Sequence, residues 1–376
     1  MEKVDFHNEE QKKKFDSLIF LNPDSFIQQT TKWAEIVSPL SGDLPVFLYH
    51  ETEKFSVTAS LYLFNSPFGK ILVSNIQAGS IGCIAFNGQP SDRKQAYVEL
   101  FKKILRIAEE EKCITLTITS NPFSNDSELI KQVIKPETGM RSFISIIEIE
   151  NFFNKNGEVV LQDYNRRSNL SRNLKKAYHQ NFEFRTEKDQ DSFDYWYQKV
   201  HSQRIEDLGG KPLSYNLLKN ILFHSRTAEY SKFFTIYKDH HLIGGDICVF
   251  NKNGILDNFM MSTDREYQIL GANYFLIDQI LKWCYDKNFK IYNWQSTNPP
   301  KGGILRFKEQ WGSKVKSYFY FTKILDQQKF DHIIRNNSFQ KILEAFQGHF
   351  FAPFHTVRRS VYGIKSKVES QQIADL

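Results

Sequence analysis

Two stretches of this 376-residue chain combine residue types suited to negative charge. In the first, Lys290 to Lys314 (KIYNWQSTNPPKGGILRFKEQWGSK), cations stand among aromatic residues. A short alternating strand, Ile291-Tyr292-Asn293-Trp294, gives way to a polar loop holding Pro299, Pro300, Gly302 and Gly303. Arg306-Phe307-Lys308-Glu309-Gln310-Trp311-Gly312 follows. A buried strand does not tolerate that density of charge, and an ordinary turn has no use for two prolines, two glycines, a Phe and a Trp. The same composition also suits a surface loop over which Arg306 and Lys308 snorkel. Arg306 is spaced to meet either a phosphate or Glu309 one turn on.

In the second stretch, Met260-Met261-Ser262 ends a strand, and Thr263 through Gln268, Gly271, Ala272 and Asn273 opens a long helix. A strand, a Gly-containing loop and a helix N-terminus together offer unpaired backbone N–H groups and a positive dipole end, a ready site for phosphate or pyrophosphate. A single Gly before a helix is also what an ordinary turn requires. Arg204, in His201-Ser202-Gln203-Arg204-Ile205-Glu206-Asp207, is a candidate for an acceptor phosphate or carboxylate, with a local ion pair as the alternative. Arg166, Arg167, Arg172, Lys175 and Lys176 form a cationic run unopposed by any acid. It reads either as a solvated helix face or as a path for a polyanion.

The elements that must position these residues are mixed α and β. Residues 1–15 are polar and expected to fray. A short amphipathic helix over 25–37 carries Trp33, and β-rich runs fill 45–86. A helix follows with Tyr97, Phe101, Ile104 and Ala108 on one face, then a strand at 113–119, a helix near 126–134 and a strand at 143–149. A polar linker at 150–157 marks the expected boundary between domains 1–150 and 151–376. Beyond it come a basic helix within 158–180, helices near 190–207 and 213–225, and strands at 232–238, 242–250 and 254–262. A helix over 271–287, the strand opening the first stretch, a strand at 317–322 and a helical tail complete the order.

That order happens twice. Placing Lys103-Ile104-Leu105-Arg106 on Gln279-Ile280-Leu281-Lys282 carries Ser120 onto Ser296 without a gap. The chain therefore reads as two similar α/β lobes, between which a ligand cleft is expected. A net charge of +6 favours anionic partners only mildly. Cys83, Cys113, Cys248 and Cys284 have no metal-ligand or CxxC spacing and read as buried thiols in a reducing compartment. No HExxH or Ser-His-Asp pattern stands out, His240-His241 sits beside a hairpin turn, and no metal is expected. The charged N-terminus and the lack of a long apolar window point to a soluble, cytoplasmic protein without a transmembrane segment, for which a monomer suffices.

Gln268-x-x-Gly271 resembles part of the Q/R-x-x-G-x-G/A signature of the GNAT acyltransferases, whose loop holds the coenzyme A pyrophosphate. Asn273 departs from it where Gly or Ala is usual. With Arg306-Phe307-Lys308 and Trp311-Gly312 after the return strand, the chain resembles the Fem-like double-GNAT acyltransferases, where R-F-K-x-x-(F/W)-G stands in that place. Phe26-Ile27-Gln28-Gln29 with Trp33 resembles the family's opening helix, and Arg166 to Ala177 its basic helix. The D-F-G-like end of the return strand reads Asn293-Trp294-Gln295 here.

The resemblance implies two tandem GNAT-like lobes and acyl transfer to an amine of a glycan, nucleotide-sugar or cell-envelope precursor. It places Lys308, with Phe307 beside it, at the developing oxyanion, and Gln268, Gly271, Ala272 and Asn273 around the donor. Arg204, Arg306, Ser296, Thr297 and Trp294 are left to the acceptor. Asp246, Asp257 and Asp264 are unranked candidates for the base. The donor expected is acyl-CoA; the alternative is aminoacyl-tRNA, with tRNA as partner, as Fem-type enzymes use in extending peptidoglycan precursors. A non-catalytic double-GNAT binding protein is the third reading.

Overall fold

The computed structural model describes residues 1–66, 69–74, 82–153, 168–210, 212–297 and 302–335. The first half runs β1 (Glu2–Lys3), α1 (Glu9–Leu21), α2 (Thr31–Ser41), β2 (Leu44–Glu51), β3 (Phe55–Ser66), β4 (Gly69–Ser74), β5 (Ile84–Gly88), α3 (Arg93–Glu110), β6 (Thr115–Thr119), α4 (Ser127–Ile134), β7 (Thr138–Glu148) and α5 (Ile149–Phe152). The second runs α6 (Ser168–Tyr178), β8 (Glu183–Glu187), α7 (Gln190–Tyr195), α8 (Ser202–Asp207), α9 (Tyr215–Phe223), β9 (Ser231–Lys238), β10 (His241–Phe250), β11 (Ile255–Thr263), α10 (Arg265–Gln268), α11 (Ala272–Asp286), β12 (Ile291–Ser296), α12 (Gly303–Gln310), β13 (Lys314–Ile324) and α13 (Gln327–Ile334). Arg166, Arg167, residues 154–157 of the linker expected at 150–157, and the tail beyond 335 lie outside the described residues.

The chain divides into two compact units, Met1–Ser142 with the residues from Ser317 on, and Phe143–Lys316. In the first, the strand order is β1-β2-β3-β4-β6-β13, with β5 paired to β3. Tyr97, Phe101, Ile104 and Ala108 of α3 are all buried, and α3 packs its apolar face into a core with Leu61, Leu72, Leu116 and Ile118. In the second unit the order is β7-β12-β11-β10-β9-β8. There α11 lays Phe275, Leu276, Ile280, Leu281 and Cys284 into a core with Phe234, Ile236, Cys248 and Tyr292. Residues 196–201, between α7 and α8, pack on β10, and α9 packs on β9, with Trp196 edge-on to Phe233 at 5.3 Å. Gly245 permits that approach, because a Cβ there would come within 2.7 Å of Phe233.

The repeat read from element order is present. In the first unit, antiparallel β3–β4 leads through α3 to β6, parallel to β4. In the second, antiparallel β10–β11 leads through α11 to β12, parallel to β11. Each copy then takes its next strand from the other half of the chain. The end of β7 pairs antiparallel with β12, and the end of β13 pairs antiparallel with β6. A boundary drawn at 150 with all later residues in the second lobe does not describe that exchange. The sequence pattern marks where a strand lies, not which edge it joins.

The first 15 residues are ordered, contrary to the fraying expected of a polar terminus. The side chain of Asn8 caps α1 by accepting from Glu10 and Gln11 N–H. Phe15, Leu18 and Ile19 are buried, and Phe15 lies 5.1 Å from Phe47. One apolar face in a charged segment outweighs its mean polarity. Phe15→Ala is expected to destabilise the first unit by about 3–5 kcal/mol, read from the denaturant midpoint; an unchanged midpoint refutes the packing of α1.

Candidate active site

Lys308 is buried, and it lies on a helix rather than in a loop. Its Nζ donates to Trp294 O at 3.2 Å, Ser296 O at 3.2 Å and Thr297 Oγ1 at 2.8 Å. An ammonium has three protons, so all three are engaged, and all by the end of β12 and the residue after it. Burial pushes its pKa down to about 8. The reason for the anchorage is local: β12 bends there. Gln295 has φ +64°, and the pairing of β12 with β7 slips between Asn293 and Ser296. The two carbonyls on either side of Gln295 are the two that Lys308 holds.

The aromatic residues of this stretch form the floor beneath α12. Phe307 lies edge-on to Tyr274 of α11 at 5.3 Å and to Trp294 at 6.1 Å. Trp311 is fully buried among Phe152, Tyr274 and Trp294. Trp294, read from sequence as an acceptor contact, is a buried core residue whose Nε1 donates to Ser313 Oγ at 2.7 Å. Tyr274, in the first turn of α11, thus ties the glycine loop to the helix of Lys308.

In that loop, Gly271 has φ +94°. A Cβ there would meet Ala177 Cβ at 2.9 Å and Asn173 O at 3.1 Å, so Gly is required both by the conformation and by the close approach of α6. Gln268 Nε2 donates back to Thr263 O at 3.0 Å, which closes the loop on itself. Asn273 accepts from the Thr263 hydroxyl. The N-cap of α11 is Gly271, which has no side chain to occupy the first N–H groups of the helix.

Between these two features the sheet opens. The parallel pairing of β11 with β12 stops at Asp257 and Asn293, although β11 continues to Thr263 and β12 to Ser296. From Asn258 on, β11 has no ladder partner on its β12 side among the described residues. No sequence signal marked this parting, because it is a break in pairing between two strands that each read normally.

The three acids considered for the base have structural partners. Asp264 caps α10 by accepting from Glu266 N–H. Asp257 accepts from Asn293 Nδ2 at 2.7 Å. Asp246 is fully buried, accepts from Asn258 Nδ2 at 2.7 Å and is pushed up to about 7 by desolvation. Two other residues were not singled out as site candidates in the sequence. His201 is buried against Trp196, shares a 2.9 Å hydrogen bond through Nδ1 with Ser262 Oγ, and is held down at about 4 by burial, hence neutral. Gln295 keeps both amide atoms out of solvent with no partner among the described residues.

Arg204 on α8 and the exposed Arg306 on α12 have no ion pair among the described residues; neither the Arg204 pairing with its following acids nor the Arg306–Glu309 pair forms. Ser296 is exposed, whereas Thr297 is buried and shares a 2.9 Å hydrogen bond with Ser145 Oγ. The structure brings Lys308, Phe307, Thr297 and the loop before α11 into one unit. Among the described residues no group of three or more His, Cys, Asp or Glu is placed to hold a metal, and no helix is long and apolar enough to cross a membrane.

Residues 164–300 match the acetyltransferase (GNAT) domain family. The fold is similar to that of FemX, with a TM-score of 0.67 at 13% identity over 89% of this chain and 100% of that one. It is also similar to the C-terminal domain of a candidate lysylphosphatidylglycerol synthetase from Agrobacterium fabrum (TM-score 0.52, 10% identity, 86% and 95% covered). A conserved protein of unknown function from Bacteroides thetaiotaomicron matches with a TM-score of 0.54 at 9% identity, over 86% of this chain and 99% of that one. No curated protein matches the sequence.

Asp246 gives the unit a pH dependence of known sign. The folded chain keeps its proton up to about pH 7, whereas the unfolded chain loses it near pH 4. The fold therefore binds the extra proton between those values, and stability falls as pH rises through that window. Asp246→Asn is expected to equal the wild type near pH 4 and to exceed it near pH 8, as measured by denaturant midpoints. A difference that does not grow with pH refutes the assignment.

Proposed function

We propose that this chain, a GNAT-superfamily protein of Fem-like fold, is an acyltransferase that moves an acyl group from acyl-CoA to an amine of a glycan, nucleotide-sugar or other cell-envelope precursor. The observation that carries the reading is the parting of β11 from β12, with an uncapped helix N-terminus at one strand end and a buried ammonium at the other. The N–H groups of α11 and the loop Gln268–Asn273 suit the donor's pyrophosphate. The unladdered backbone of β11 suits the carbonyl and the extended arm behind it.

In the transfer, the amine nitrogen bonds to the thioester carbon, the C–S bond breaks, and the proton shed by nitrogen ends on the departing sulfur, directly or through water. Negative charge gathers on the carbonyl oxygen between these events. Lys308 is assigned to that charge. Of its three acceptors, the Thr297 hydroxyl is the one that is not a backbone carbonyl, and exchanging it for an oxyanion trades a neutral acceptor for a charged one. Phe307 helps to exclude water beside it. Arg204 and Arg306, without acid partners, are assigned to an anionic group of the acceptor, and Ser296 with the orphaned amide of Gln295 to its neutral polar groups.

A second reading, transfer from aminoacyl-tRNA, is favoured by the exposed cations of α6, which would suit a polyanion. Thiol release from acetyl-CoA with amino-sugar acceptors supports the first reading, and amino-acid transfer abolished by ribonuclease supports the second. Lys308→Ala is expected to lower kcat by about 10²–10³; undiminished turnover with both substrates saturating refutes its role. Because the Lys308 pKa lies near 8, a cationic role requires the rate to fall as pH rises through about 8. A rate that rises there would make it a base instead.

A further inference from the structure

We infer that the exposed face of α6, together with the tip of the loop beside it, is a docking surface for an anionic phospholipid bilayer. Arg172, Lys175, Lys176 and His179 recur at i, i+3, i+4 and i+7, and all four are exposed, while Leu170, Leu174 and Ala177 on the opposite side are buried. None of the three Lys and Arg side chains meets an acid among the described residues. Arg172 donates to Asn169 Oδ1 at 3.0 Å and Lys176 to Ile269 O at 2.7 Å. Lys12, Lys70, Lys282, Lys314 and Lys329, by contrast, each meet an acid.

The bond from Lys176 places Ile269 against this stripe, and the Ile269 side chain is 74% exposed. Arg265 is exposed at the start of the same loop, where the adverse charges are the exposed Glu266 and the half-buried Asp264. Four cations against two acids leave the patch positive. Cations alone would suit RNA or lipid phosphate equally. RNA surfaces add stacked aromatic rings; the exposed ring of α6, Tyr178, is tied through its hydroxyl to Asp278 and Lys282 of α11, and the residue projecting from the loop is the aliphatic Ile269, which gains by entering the boundary between headgroups and acyl chains. Ile269 belongs to the loop assigned above to the donor, but it acts here through its side chain rather than the backbone N–H groups of α11, and vesicle docking is read without turnover.

Co-sedimentation of the full chain with phosphatidylcholine vesicles containing about one-third phosphatidylglycerol tests this, with pure phosphatidylcholine as the control. Binding to the anionic vesicles alone is expected, weakening as salt is raised. Lys175→Glu with Lys176→Glu should reduce partitioning by at least about 100-fold, at roughly fivefold per unit of charge. Ile269→Ser should reduce it by roughly tenfold with the salt dependence unchanged. Should the double reversal melt early, Lys175→Gln replaces it, as Lys175 has no partner to lose and a fewfold reduction is then expected. Equal binding to both vesicle types, or to neither, overturns the proposal. So does retention of bulk tRNA that charge reversal abolishes and Ile269→Ser leaves intact, in the absence of vesicle binding.

Discussion

A buried ammonium must place three protons on acceptors, and Lys308 places all of them on one strand end. Removing a charged donor from water is costly unless its hydrogen bonds are replaced, and here the replacement also fixes the backbone. The carbonyls that Lys308 holds flank Gln295, at a bend where the strand ladder slips. Lys308 thus sets the end of β12, and α12 in turn sets Lys308 by resting Phe307 on Tyr274 and Trp294. The geometry of the proposed reaction centre follows from satisfying one charge.

The same contact chain reaches the donor loop. Tyr274 belongs to the first turn of α11, and the turn before it is pressed against α6 so closely that Gly271 can carry no side chain. The loop and the lysine therefore report to one rigid floor of aromatic rings rather than to two flexible loops. Sites of this kind hold their groups in place by packing, which lowers the reorganisation needed when charge develops.

Much of this was legible in the residues. The helix α11, the strand β12 and the doubled order of elements follow from periodicity, and the R-F-K run stood out because cations among aromatics are unusual. What was hidden depended on pairing rather than on pattern. The parting of β11 and β12 involves two strands that are individually ordinary. The helical state of Arg306 and Lys308 was masked by the prolines and glycines just before them. Trp294 looked like a ligand contact because an aromatic beside a polar loop carries no mark of its neighbours, and those are Tyr292, Phe307 and Trp311. His201 and Gln295 are conspicuous only because a buried ring nitrogen and a buried amide lack partners.

The exchange of β7 and β13 bears on how the chain is made. Thr119 of β6 pairs with Tyr320, and the hydroxyls of Thr117 and Thr322 meet across 205 residues of sequence. During synthesis the partner of the β6 edge is made only after the whole of Phe143–Lys316. Such distant pairings are slow to close, and an edge exposed for that time invites association with other chains. By contrast, β7 is already made when β12 appears, so the unit that carries the proposed site can finish first. The strand exchange thus allows the second unit to close before the first, the reverse of the order of translation.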